Sequence, residues 1–271
     1  MTSSVADFHK LKQRLRLSGQ IVTRTGLRIG SGGSGELDGA DLPVLRDAQG
    51  YPFIPGASLK GSLRSTIEAL VRGAELPRDT GLWACDPLLE SYEGGACGHH
   101  APGKRGEVDP EQHCAVCRLF GSRIVASHVR FSDALMRLPE SDVIGRVPVE
   151  VRDGVAIDRD LRTVYGGQKY DFEVVSPGTC FDLEVFIENP KDWLMGLLIM
   201  GFDQIRDGFT ALGGFTSRGL GRVDIVWSGA IEVSARDLLE GKPEKRLPSG
   251  DLEPRFSTFR EALAARTQRR A

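Results

Sequence analysis

Apolar and polar positions along this chain fall into two periods, and each period marks a kind of element. Leu15 to Thr25 alternates, with Leu15, Leu17, Gly19, Ile21 and Thr23 on one side, which predicts a strand. Thr179 to Glu188 repeats the pattern: Phe181, Leu183, Val185 and Ile187 point one way, Asp182, Glu184 and Glu188 the other. Leu59, Leu63, Ile67, Leu70 and Val71 instead recur at helical spacing and predict a helix from Ser58 to about Val71. Asp192 to Phe209 reads as an apolar helix, and Leu220 to Val233 as a strand pair or one long bent strand. Arg146 to Tyr170 mixes β-prone residues with glycines and predicts an extended hairpin. Two stretches show little periodicity: the glycine- and aspartate-rich Gly30 to Asp47, and Leu76 to His113, which reads as an insertion. Beyond about Arg236 the chain is polar, with GKPEKRLPSG as a linker and a short helix from Glu253 to Arg266. Strand, helix, strand, helix and strand, separated by long insertions and without internal repeats, predict an α+β chain with an elaborated ferredoxin-like core.

Composition narrows the partners. An apolar fraction of 40% and a charged fraction of 27% over 271 residues describe a globular protein large enough to bury a sizeable core. The net charge is −2, so any nucleic-acid surface has to be local, drawn from some of the 35 lysines and arginines. No apolar run reaches membrane-spanning length, and MTSSVADFHKLKQRL lacks the apolar core of a signal peptide, so the expected compartment is the cytoplasm, with no membrane partner.

The 5 cysteines are an odd number, and four are clustered, which favours metal or free thiols over a disulfide framework. Cys114 and Cys117 form a C-x-x-C pair that can place two thiolates on one tetrahedral Zn²⁺, and Cys85 and Cys97 can complete a four-thiolate site. His99, His100 and His113 are spare ligands, any of which could replace a cysteine. Four good ligands leave no open position for water, so the zinc would be structural and would supply folding energy to a segment poor in apolar residues. The competing reading is a group of reduced cysteines on an exposed loop. Cys180, at a strand start, reads as a small packed residue.

Two further segments suggest phosphate. In PFIPGASLKGSLRS, Pro55 and Gly56 make a turn and Ser58 is placed as an N-cap. Lys60 and Arg64 lie four apart beside the helix start, and Gly61 lets a backbone approach closely. In GGFTSRGLGRV, glycines surround Arg218 and Arg222, and such turns can cradle an extended phosphate backbone. Taken singly, each also reads blandly: a capped amphipathic helix with two solvated cations, and an ordinary tight turn. Neither GxxxxGK[ST] nor G-x-G-x-x-G occurs, so no nucleotide-cofactor motif is present.

TGLRIGSGGSG, PGASLKGSLR, CRLFGS, the AIDR…EVVSPGT segment and GGFTSRGLGRV occur in one order, from Leu15 to Val233. That order resembles the RAMP superfamily, specifically the repeated backbone subunit of type III CRISPR effector complexes. The resemblance implies an RRM-related core over residues 15–233 that includes a zinc-binding insertion at 76–120 and a thumb hairpin at 146–170, with 234–271 as a polar extension. It implies guide RNA, single-stranded target RNA, other Cas subunits and further copies of the same chain as partners. It also implies cleavage of the paired target RNA by an aspartate before a proline-valine segment ending in Arg-Asp. In ADLPVLRD that aspartate is Asp41, with Asp38 the residue most easily mistaken for it and Asp47 part of the following turn. A carboxylate there could act as base or hold Mg²⁺ or another divalent metal; alternatively, these aspartates only make Asx-turns. Many members carry histidine where this chain has Arg28, whose guanidinium can still bind phosphate. On the thumb, Arg152, Arg159, Arg162 and Lys169 could contact phosphates, and Val164 or Tyr165 could wedge a base step. The resemblance leaves a second class open, a backbone subunit that binds RNA without cutting. A standalone guide-processing nuclease is weaker, since no histidine neighbours the glycine-rich loop.

Overall fold

The computed structural model describes residues 10–30, 40–86, 97, 113–123, 125–138 and 147–268. Alternation builds the central strand β1 (Gln13–Thr23), which buries Leu15, Leu17, Gly19, Ile21 and Thr23. It ends two residues earlier than the sequence pattern suggests, because the N–H groups of Arg24 and Thr25 turn away to the carbonyl of Arg222. Along the chain follow β2 (Phe53–Ile54), α1 (Gly56–Gly73), α2 (Ala115–Phe120), β3 (Val129–Phe131) and β4 (Ala134–Leu135). The hairpin strands are β5 (Val149–Ile157) and β6 (Val164–Val175). Then come β7 (Cys180–Glu188), α3 (Asp192–Arg206), β8 (Val223–Ser234), α4 (Ala235–Leu239), β9 (Lys245–Pro248) and α5 (Ser249–Thr267).

The fold is a mixed α+β one with antiparallel sheets. Five strands lie in the order β3-β7-β1-β8-β9, each pair antiparallel. The register sets Leu17 of β1 between Val185 of β7 and Ala230 of β8, so the apolar faces of three strands coincide. The segment from Leu220 onward resolves as one strand, β8, with a register shift opposite Ser18 and Gly19. On the opposite face of the sheet, Arg14 pairs with Glu188 and Arg16 with Glu184 at 3.5 and 3.8 Å.

The helices α1, α3 and α5 share one core with the buried sheet face. α3 is buried almost all round, between α1 and α5. Its Gly196 explains how close α5 comes: a β-carbon there would lie 2.4 Å from the Phe259 carbonyl oxygen. No described helix is long and apolar enough to cross a membrane.

Three expectations need correction. α1 starts at Gly56, not Ser58, and no side chain of its own caps it; the Asp133 carboxylate accepts the Gly56 N–H at 2.8 Å and fills that place from across the fold. Leu70 is exposed, whereas Glu68 is buried, because Glu68 is held between Arg64 and Arg72. The C-terminal helix runs longer than the sequence indicates and is not merely a polar appendage, since Leu252, Phe256 and Phe259 are buried in the main core.

Candidate functional site

The hairpin β5–β6 stands apart as a two-stranded sheet. Toward its tip Ile157, Leu161, Val164 and Tyr165 are exposed, while at its root Phe172, Val174 and Val175 are buried. The root is fixed by paired backbone bonds between Leu27 and Val175, at 3.0 and 2.8 Å. The tip turn is closed by Asp158, whose carboxylate accepts the N–H groups of Asp160 and Leu161 at 2.9 Å each. Arg152, Arg159 and Lys169 lie along this hairpin; Lys169 pairs with Asp153 at 3.1 Å, and Arg159 is exposed.

The segment carrying Asp41 is laced to the root. Leu42 bridges Phe172 in parallel, and the Glu173 N–H donates to the Leu42 carbonyl at 3.0 Å. Asp41 and Asp171 bond reciprocally: the Asp41 N–H donates to Asp171 Oδ1 at 2.7 Å, and the Asp171 N–H donates to Asp41 Oδ2 at 3.1 Å. Asp41 is nonetheless exposed. Asp47 does close the next turn, accepting the Gln49 and Tyr51 N–H groups at 3.0 and 2.9 Å. Asp38 lies outside the described residues.

Beside Asp171, the glycine-rich loop before β8 joins the same small cluster. Phe215 packs edge-on against Phe172, with ring centroids 4.9 Å apart. The Arg28 guanidinium lies 5.0 Å and the Arg218 guanidinium 4.8 Å from the Phe215 ring. Arg218 Nη1 also donates to the Tyr170 hydroxyl at 2.7 Å. Burial pushes Arg28 below its ordinary value, opposed by Tyr170, and its Nε is buried without a hydrogen-bond partner among the described residues. The loop reaches this place through Gly213, whose N–Cα torsion of 78° suits glycine and where a β-carbon would lie 2.2 Å from the Arg28 carbonyl oxygen. Arg28 and Arg218 thus meet at Phe215, against Tyr170 and Phe172 of the hairpin root, while Asp41 is tied to the same root through Asp171; Arg222 is exposed and lies against Gly208. Sequence reasoning missed Asp171, Tyr170 and Phe215, whose signal was only the alternation of a strand and a loop aromatic.

Lys60 sits elsewhere, in a groove with Gly56, Ser127, Arg130 and Phe186. Burial, and then the Arg64 charge, push its ammonium below the ordinary value. Ser58 is half-buried and caps nothing. Gly61 is exposed, and a β-carbon there would meet nothing within 4 Å.

The second site is the cysteine cluster. The sulfurs of Cys85, Cys97, Cys114 and Cys117 all lie within 4.8 Å of one another. A tetrahedral zinc site needs sulfur separations of about 3.8 Å, and the Cys85–Cys117 pair stands at 3.6 Å. Cys114 caps α2: its Sγ accepts the Cys117 N–H at 3.3 Å, while the Cys114 N–H donates to Cys97 Sγ at 3.2 Å. Hydrogen bonds among the thiols push Cys85 and Cys114 down and Cys97 and Cys117 up, since in each bonded pair one sulfur accepts the proton the other keeps. This donor set can hold a metal ion. His113 is described and is not among the clustered ligand atoms; His99 and His100 lie outside the described residues.

The comparisons with known proteins cover both sites. The model of the RAMP superfamily matches residues 20–224. A protein of Methanocaldococcus jannaschii described as "CRISPR system Cms endoribonuclease Csm3" is 32% identical over 255 residues, 90% of each chain. A protein of the same description from Methanothermobacter thermautotrophicus is 29% identical over 77% of this chain and 82% of its own. One from Enterococcus italicus is 27% identical over 79% and 90%. With the match running from β1 into β8, through the cysteine cluster, the β5–β6 hairpin and the glycine-rich loop, the chain belongs to the RAMP superfamily.

Proposed function

We propose that this protein is a guide-RNA-binding backbone subunit of a type III CRISPR complex, and that it cuts the paired target RNA with Asp41. The relatives described as Csm3 endoribonucleases support the class, and the order β1-α1-β3-β7-α3-β8 with strands arranged β3-β7-β1-β8 supports a ferredoxin-like core. The observation that carries the cutting role is that one hairpin root holds an exposed carboxylate, bonded to Asp171, and two guanidiniums on the Phe215 ring that packs against Phe172. Arg28 and Arg218 can hold a phosphate of the target strand, while the exposed Val164 and Tyr165 of the thumb unstack the nucleotide beside it. Asp41 then takes the proton of the ribose 2′-hydroxyl, whose oxygen attacks the neighbouring phosphorus in line; the 5′-oxygen leaves, and a cyclic phosphate remains. Asp41 with Asp171 also offers the oxygen ligands that a hard divalent cation takes, and such a cation would ease loss of that proton and neutralise charge on the phosphate. Lys60, Arg159, Lys169 and Arg222 serve the RNA backbone, guide and target, in a complex with further copies of the chain and other Cas subunits. Zinc is the ion the four sulfurs hold, as a structural site with no position for water.

The Asp41–Asp171 reciprocity favours one competing reading, in which Asp41 only latches the loop and the subunit binds RNA without cutting. Asp41→Asn separates the two. Its amide oxygen can still accept the Asp171 N–H, so a latch survives, whereas the charge and basicity are lost. In the assembled complex with Mg²⁺ present, the cutting reading expects target cleavage to fall by at least about a hundredfold with RNA binding unchanged. Cleavage at the wild-type rate would move the chain to the non-cutting class.

A further inference from the structure

We propose that Arg64, supported by Glu68 and Arg72, belongs to the metal site: its guanidinium holds the Cys117 thiolate from outside the coordination sphere and offsets the charge of the bound ion's ligands. The proposal rests on the zinc reading above. From its position four residues after Lys60, Arg64 turns away from the Lys60 groove. Its Nη2 donates to Cys117 Sγ at 3.5 Å, its Nη1 to the Gly121 carbonyl at 3.1 Å, and its Nε to Glu68 Oε1 at 2.8 Å. Arg72 closes the row: its Nη2 donates to the Cys85 carbonyl at 2.7 Å and to Glu68 Oε2 at 3.3 Å. Every nitrogen of the Arg64 fork is therefore committed, and one helix face reaches from Cys117 to Cys85.

The chemistry explains the arrangement. A divalent ion with four thiolates is a dianion, and burying it without compensation is costly. Cys97 and Cys114 each receive a backbone N–H on sulfur; for Cys117 the donor is Arg64. Two guanidiniums around one buried carboxylate leave surplus positive charge beside the thiolates, and Glu68 fixes the geometry of both. Lysine cannot replace this fork, because a single ammonium cannot span a sulfur, a carbonyl and a carboxylate in three fixed directions. Arg64 is thus a positioning residue for the metal, and Lys60 is left to contact RNA.

The test uses the full chain as purified, comparing wild type, Arg64→Lys and Lys60→Ala. Zinc loss to an excess of a coloured chelator is followed, with circular dichroism confirming that each variant is folded. Arg64→Lys is expected to lose zinc about ten to a hundred times faster than wild type, with Lys60→Ala unchanged. A second readout is the Co²⁺-substituted protein. Removing the guanidinium raises the energy of the Cys117 sulfur lone pairs, so the thiolate-to-cobalt absorption should shift to longer wavelength in Arg64→Lys. Lysine keeps the charge, so if Arg64 were a phosphate ligand instead, Arg64→Lys would bind guide RNA nearly normally and release zinc at the wild-type rate with an unshifted cobalt band. That result overturns the proposal while leaving the zinc reading intact. Wild-type protein that holds neither zinc nor cobalt would overturn both.

Discussion

At the scale of single residues, Phe215 carries the most unusual environment. It adopts a left-handed backbone with an N–Cα torsion of 58°, uncommon for a bulky side chain, and two guanidiniums share its ring. Each cation–π contact is worth about 0.5–2 kcal/mol, and two like charges on one ring favour a nearby anion. A phosphate bound beside the pair would meet that demand, which is why Arg28 is expected to matter for RNA. Arg28→Ala should weaken RNA binding and lower the salt slope by about 1; an unchanged slope in a filter-binding titration over salt would remove Arg28 from the interface. Gly61 makes the complementary case. Nothing in the fold demands glycine there, and in a helix it costs about 1 kcal/mol relative to alanine. Gly61→Ala should therefore raise the melting temperature of the RNA-free protein while weakening guide binding, because only a partner's close approach accounts for the missing side chain. If the variant melts higher and binds equally well, that approach does not occur.

At the scale of elements, β1, β7, α1 and α3 were legible because their apolar residues repeat on one face, whereas the short strands β2, β3, β4 and β9 carry too few residues to show a period. The failures have identifiable causes. Ser58 has the chemistry of a cap, but the acceptor at the start of α1 is Asp133, distant by 77 positions in sequence, and no local pattern can announce it. α5 was under-read because only Leu252, Phe256 and Phe259 anchor it among polar neighbours. Those anchors are decisive: Phe259 is 1% exposed, and Phe259→Ala should cost about 3–5 kcal/mol in a urea melt. The thumb predicts the opposite. Tyr165 is 58% exposed, so Tyr165→Ala should change stability by no more than about 0.5 kcal/mol yet impair cleavage of the guide–target duplex. A large stability loss would mean that the hairpin tip packs on the body of the protein.

At the scale of the molecule, the cysteine cluster is tied into the core from two directions. α1 reaches it through Arg64 and Arg72, and α2, which carries Cys117, reaches α3 and α5 through Trp193. The Trp193 ring lies 5.0 Å from the Arg118 guanidinium and 4.6 Å from that of Arg266. Chelation should consequently lower the melting temperature of the whole protein in a single transition, read by both tryptophan fluorescence and circular dichroism. Two separate transitions would make the cluster an independent appendage. The four-cysteine cluster was legible from its spacing; its anchorage was not, because Arg64 looks in sequence like one more solvated or phosphate-binding cation.

The reciprocal bonds between Asp41 and Asp171 have a geometric consequence. They tie the loop that carries Asp41 to the root of β6, so the two are held in a set relation. If Asp41 cuts as proposed, the subunit would act as a ruler, with a fixed offset between the place where a base pair is pried open and the bond that is broken. Copies strung along one guide would score the target at intervals set by the repeat of the protein rather than by the letters of the RNA. Loosening the tie with Asp171→Ala should blur the cleavage ladder, spreading each band over neighbouring phosphates while the spacing between bands stays the same.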